Sequence, residues 1–208
     1  MNPTDLVSHY GYLAVLVVVG LESLGVPLPG ETTLIAAALY AGSTHRLAIA
    51  GVIIAASAGA IIGDNIGYLV GHQGGYRLLV RYGRYVRLDE SRIKVARYLF
   101  LRFGGAVVFF GRFVSILRTY AAFLAGTTRM PWRRFVVYNA AGGIVWATIY
   151  GTAAYVLGKN VDMFSRPLTV GFAIAGAGAI VVLAVAIRRA EDTLRPAAEA
   201  AFPGPLRP

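Results

Sequence analysis

The sequence predicts an all-α integral membrane protein, with two re-entrant helical hairpins in an inverted-topology repeat plus three full transmembrane helices. Three observations carry this expectation. Of the 208 residues, 57% are hydrophobic and only 14% charged, with a mean hydropathy of +0.62. Soluble domains average roughly 25% charged residues. Long apolar runs recur along the chain, two of them broken in the middle. The breaks carry charged residues of opposite sign, Glu22 and Glu31 at the first and Arg112 and Arg118 at the second.

The first apolar block, residues 10–42, is interrupted by GVPLPGE at 25–31. Two prolines and a glycine stop a helix there. The piece after the break is too short to cross a bilayer, which takes about 20 apolar residues. A re-entrant hairpin fits, its irregular tip buried in protein or facing a wet cavity. Glu31, followed by Thr32 and Thr33, suits a helix N-terminus, where free backbone N–H groups meet a carboxylate.

Residues 47–71 are long enough to span. Small residues at Gly51, Ala55, Gly59, Gly63, Gly67 and Gly71 form a four-residue stripe that lets another helix approach, within the chain or between chains of a homo-oligomer. Asp64 lies in this span beside Asn65. A carboxylate inside a membrane helix points to function or to a structural hydrogen bond.

Residues 72–103 alternate basic and aromatic side chains, which predicts a basic amphipathic segment on the cytoplasmic membrane surface, with Asp89 capping a helix from Glu90. The net charge of +10 thus points to anionic lipid and not to nucleic acid. The next stretch, 104–126, is apolar around Arg112 and Arg118. A cation at mid-membrane costs about 2.5–3.5 kcal/mol on insertion scales, so both arginines call for partners, water or an anionic ligand. Residues 135–158, with Asn139 near the start, and 168–187 read as further spans, and 188–208 as a cytoplasmic tail.

The arginines set the topology. If 104–126 crossed the membrane, the basic loops 72–103 and 127–134 would face opposite sides, against the positive-inside bias. If it dips in and returns, both loops and Arg188–Arg189 stay cytoplasmic, leaving Arg46, Lys159 and Arg166 outside. The N-terminus is then outside, the C-terminus cytoplasmic, and no cleaved leader is expected. The two hairpins enter from opposite faces, a pattern that marks midplane sites in transporters. It brings Glu22 and Glu31 toward Arg112 and Arg118, while Asp64 and Asn139 fall near the cytoplasmic ends of their spans as supporting groups.

Glu22 with PLPGE at 27–31, GDNIGY at 63–68, RFVSILRT at 112–119, then Gly126, Met130–Pro131, Phe135, Asn139, Gly142 and Trp146, together resemble the DedA family of small bacterial membrane proteins. The match covers roughly residues 20–160. The resemblance implies paired re-entrant hairpins shared with eukaryotic lipid scramblases, a bacterial inner-membrane location, and handling of lipid carriers such as undecaprenyl phosphate. Other members are linked to phospholipid translocation or to proton-dependent tolerance of alkali and drugs. The family's essential acids and arginines map onto Glu22, Glu31, Arg112 and Arg118. Ser115 stands where the family often has proline, which predicts a milder kink.

On these residues the leading expectation is a lipid-phosphate transporter without cofactor or metal. Arg112 and Arg118 would bind phosphate, and Glu22 and Glu31 would release them on protonation. A proton-coupled cation or drug antiporter and a phospholipid scramblase are the alternatives. A lipid phosphatase would need a histidine nucleophile or a metal cluster, and His9, His45 and His72 lie at or beyond span ends. Buried charges that only fix helix positions are the remaining reading.

Overall fold

The computed structural model describes residues 3–82, 90–113 and 115–159, with a few positions of the tail (193–194, 196–197 and 200–202). The expected span 168–187 lies outside them. Among the described residues every regular element is helical. These are α1 (Pro3–Leu24), α2 (Gly30–Thr44), α3 (Ile49–Tyr82), α4 (Glu90–Phe103), α5 (Gly105–Gly111), α6 (Ser115–Thr127) and α7 (Trp132–Lys159).

Two of these contain stretches long and apolar enough to cross a membrane, 49–74 in α3 and all of α7, with mean hydropathies of 1.7 and 1.3. At 1.5 Å per residue each exceeds the ~30 Å hydrocarbon core. The two run antiparallel: Trp132 bonds to Asn65 at one end, while Gly151 packs on Ile53 toward the other.

Each broken apolar run forms a pair of helices. The first arm, α1, runs parallel to α3. The Tyr12 hydroxyl receives the Ala48 N–H at 2.8 Å, Gly20 faces Gly59, and Ser23 approaches Gly67. After the break at Gly25–Pro29 the second arm, α2, returns and packs along α7, where Leu39 and Gly42 meet Gly158. The other pair mirrors this. Its first arm, α5, runs parallel to α7, with Gly105 against Tyr138 and Phe109 against Gly142. Its second arm, α6, returns along α3, where Ala122 faces Gly67 and Phe123 faces Gly71. Each hairpin therefore lays one arm on the long helix of its own half and the other on the long helix of the opposite half.

Small residues make these approaches possible. Between helices in lipid, packing and hydrogen bonds replace the hydrophobic drive, so backbones must come close. A methyl at Gly59, Gly63 or Gly71 would overlap a backbone carbonyl of Leu16, Gly20 or Phe123. The stripe is thus consumed inside the chain, by α1 on one stretch and α6 on the next. It provides no argument for self-association.

Two sequence expectations need correction. Helix α3 does not end at Gly71 but continues to Tyr82, so residues 72–82 prolong the spanning helix. The apolar run stops there because the composition turns basic, and composition is not what ends a helix. Helix α4 does begin at Glu90, with the expected cap Asp89 outside the described residues. The break beside Ser115 is no mild kink either: α5 and α6 are antiparallel, so the chain reverses fully without a proline, through a turn in which the Phe113 N–H bonds the Phe110 carbonyl at 3.1 Å.

Candidate functional site

The two hairpin tips meet in the interior. Glu22 sits at the end of α1 and Glu31 in the first turn of α2; Arg112 follows α5, and Arg118 lies in the first turns of α6. Pro29, the residue preceding α2, offers its N-terminus no side-chain cap. The Glu22 carboxylate lies there instead, reaching across the break to the start of α2, beside the backbone of Gly30 and Glu31. A side chain at position 30 would collide with that carboxylate, so glycine is the residue that fits.

Arg118 is shared between hairpins. Its Nη2 donates to Glu22 Oε1 at 2.5 Å and its Nη1 lies 3.7 Å from Glu31 Oε2. The guanidinium carbon stands 5.4 Å from the ring centre of Trp146, a fully buried side chain of α7. The arginine side chain is 8% exposed, that of Glu22 17% and that of Glu31 37%. Exposure therefore rises steadily from the cation outward to Glu31.

Arg112 has different partners. Its Nη2 forms a buried salt bridge with Asp64 Oδ2 of α3 and donates to Asn139 Oδ1 of α7 at 2.7 Å. Neither glutamate pairs with it directly, so the expectation that both arginines face the two glutamates holds for Arg118 alone. The reason is geometric. Arg112 belongs to the turn that inserts between the two long helices, whereas Arg118 lies on the arm facing the other hairpin. Asp64 is likewise not near the end of its helix, whereas Asn139 lies about two turns into α7. Asp64 lies ten residues before Gly74, about 15 Å along the axis, and Asn139 seven residues after Trp132. Sequence reasoning saw Asp64 as an isolated intramembrane acid and missed its partner, because 48 residues separate the two.

A narrow cleft with room for about one water molecule connects the two arginines, lined by the polar groups of Asp64, Arg112, Arg118 and Asn139 and by Val108 and Phe135. The second carboxylate oxygen of Asp64, Oδ1, is buried there without a hydrogen-bond partner. One end of the cleft is fastened by the contacts of α3 with the loop before α7 and with the first turn of α7. The Tyr68 hydroxyl donates to the Met130 carbonyl at 2.5 Å, the Tyr68 ring stacks on Phe135 with centroids 4.6 Å apart, and the Trp132 indole N–H donates to Asn65 at 3.1 Å. Among the described residues no group of three or more His, Cys, Asp or Glu is arranged to hold a metal ion.

Two helices long and apolar enough to cross a membrane surround a charged site, four buried polar side chains around a cleft between hairpin tips, and relatives of the chain are named membrane proteins. Comparison with known proteins gives the family: the VTT domain model matches residues 28–156, and the chain belongs to this family, also called DedA. The chain is 45% identical over 159 residues to an uncharacterized membrane protein of Synechocystis, covering 76% of this chain and 72% of that one. It is 29% identical over 123 residues to undecaprenyl phosphate transporter A of Bacillus subtilis, covering 59% of this chain and 62% of the relative. An alkaline phosphatase-like protein of Lactococcus lactis is 28% identical over 166 residues, 77% of each chain. No solved structure matches the chain.

Proposed function

We propose that this protein carries a lipid phosphate across the bacterial inner membrane, its hairpins re-entering from opposite faces so that their tips meet near the midplane. The observation that carries the reading is Arg118: a buried cation held between the two carboxylates of the opposite hairpin. A guanidinium presents a planar fork of donors that suits phosphate as well as carboxylate, so a headgroup competes directly with Glu22 and Glu31 for it. Protonation of those glutamates favours the exchange, which couples transport to the proton gradient. The fully occupied arginines then represent the empty carrier, and Trp146 keeps the Arg118 plane oriented for the incoming anion. Undecaprenyl phosphate is the first lipid to test, because a relative is named for it.

The test is transport of a fluorescent polyprenyl phosphate across vesicles containing the purified protein. Arg118→Ala should abolish movement while the protein still elutes as a folded monodisperse species. Unimpaired transport by that variant would sink the phosphate reading. Release of inorganic phosphate from the same lipid, measured in parallel, would support a phosphatase instead. A second reading, proton-coupled antiport of a cation, draws on Glu31, the most exposed of the three buried-cluster carboxylates. It predicts uptake of the cation into everted vesicles lacking any lipid phosphate.

A further inference from the structure

The two arginines are not equivalent, and their difference bears on which charge state of phosphate the site accepts. Arg112 is bound to Asp64, whose side chain is 6% exposed, and to Asn139, on the two long helices. Its charge is already neutralised by a group that cannot swing out to water. Arg118 is held by Glu22 and Glu31, which belong to the other hairpin and grade outward to an accessible carboxylate. Glu22 also lies against the positive N-terminal end of α2, which favours its carboxylate when it gives up Arg118. An anion entering the cleft therefore finds one available positive charge. A second negative charge would face Asp64, with its unpartnered Oδ1 in the same cleft. An unpaired charge in a low-dielectric interior is strongly disfavoured.

We propose, resting on the lipid-phosphate reading above, that the site takes a singly charged phosphate headgroup and excludes the dianion. Two lipid sources share that chemistry: a phosphodiester, and a lipid monophosphate in its hydrogen-phosphate form. Asp64 sets the selectivity by holding Arg112 out of reach of the ligand.

The experiment compares two fluorescent lipids in the same vesicles, phosphatidylglycerol and a polyprenyl monophosphate, each measured over protein-free vesicles. A phosphate monoester has its second ionisation near pH 6, so its monoanion dominates at about pH 5.5 and is a few per cent of the total at about pH 7.5. Effects of Glu22, Glu31 or Asp64, and any coupling to the proton gradient, act on both lipids and cancel in the ratio of their rates. The expected result is a monoester-to-diester ratio that rises about tenfold or more on going from the higher to the lower pH. Asp64→Asn frees Arg112 and should raise the ratio at the higher pH toward its low-pH value. A wild-type ratio unchanged between the two pH values overturns the inference while leaving lipid transport intact, and this wild-type readout stands even where Asp64→Asn does not fold. Movement of neither lipid overturns the transport reading and the inference together.

Discussion

Replacing Gly63 with alanine tests the close approach on which the site depends. The added methyl would overlap the Gly20 carbonyl oxygen and lie 2.9 Å from Ser23 Cβ and 3.0 Å from the Gly20 carbonyl carbon. Carbon atoms rest at about 3.5–4.0 Å, so α1 must withdraw by roughly 0.5–1 Å. Glu22 travels with it, and its 2.5 Å bond to Arg118 lengthens. Gly67, one turn further along α3, is the internal control. A methyl there meets Ala122 Cβ at 3.5 Å and the Ser23 carbonyl oxygen at 4.0 Å, both ordinary contacts. Both substitutions gain the same helix propensity, up to about 1 kcal/mol. The difference between them isolates overpacking, about 1–3 kcal/mol. At about 2–4 °C per kcal/mol, Gly63→Ala should unfold roughly 2–12 °C below Gly67→Ala. Thermal unfolding of the purified variants in one detergent measures this, followed by intrinsic fluorescence. Equal midpoints would refute the packing of α1 on α3 described above.

Three further outcomes are expected. Asp64→Ala leaves Arg112 buried without its counter-charge and should cost about 3–5 kcal/mol, whereas the Asp64→Leu, Arg112→Met pair should recover much of that loss; a double-mutant cycle in unfolding free energy with no coupling would contradict the salt bridge. Tyr68→Phe removes a buried hydroxyl from the Met130 carbonyl and should destabilise by about 1–3 kcal/mol, loosening the fastening at that end of the cleft. Proteolysis of the loop before α7 should accelerate in step. Gly30→Ala should displace the Glu22 carboxylate from the α2 N-terminus, costing at least the ~1 kcal/mol of a lost cap. Transport should fall with it, and a variant of wild-type stability and rate would contradict the cross-break cap.

Some of this arrangement was legible in the sequence because it follows from local chemistry. Pro27, Pro29 and Gly25 stop a helix whatever surrounds them, and Arg112 and Arg118 are conspicuous in any apolar run. The spacing of Gly59, Gly63, Gly67 and Gly71 announced close packing, since a four-residue interval stays on one helix face. What the stripe packs against was not legible, because the order of helices around α3 depends on the whole bundle. The same limit hid the Arg112–Asp64 pair: charge and hydropathy suggest that a buried arginine has an acid, but not which of several. Helix α3 outlasting its apolar run to reach Tyr82 is a different case. A helix continues as long as its backbone bonds do, and Arg77 and Arg81 are good helix formers.

The exchange of arms between halves has a consequence for biosynthesis. When residues 1–82 have left the ribosome, α1 can settle on α3, but α2 lacks its largest packing partner until α7 arrives. Glu22 and Glu31 meanwhile lack Arg118, and α3 keeps the stretch around Gly71 open for α6. Neither half can close on its own. The two become one structure only when α6 and α7 have packed on α3 and α2, so assembly is concluded by the carboxyl-terminal half rather than built up from the amino-terminal one.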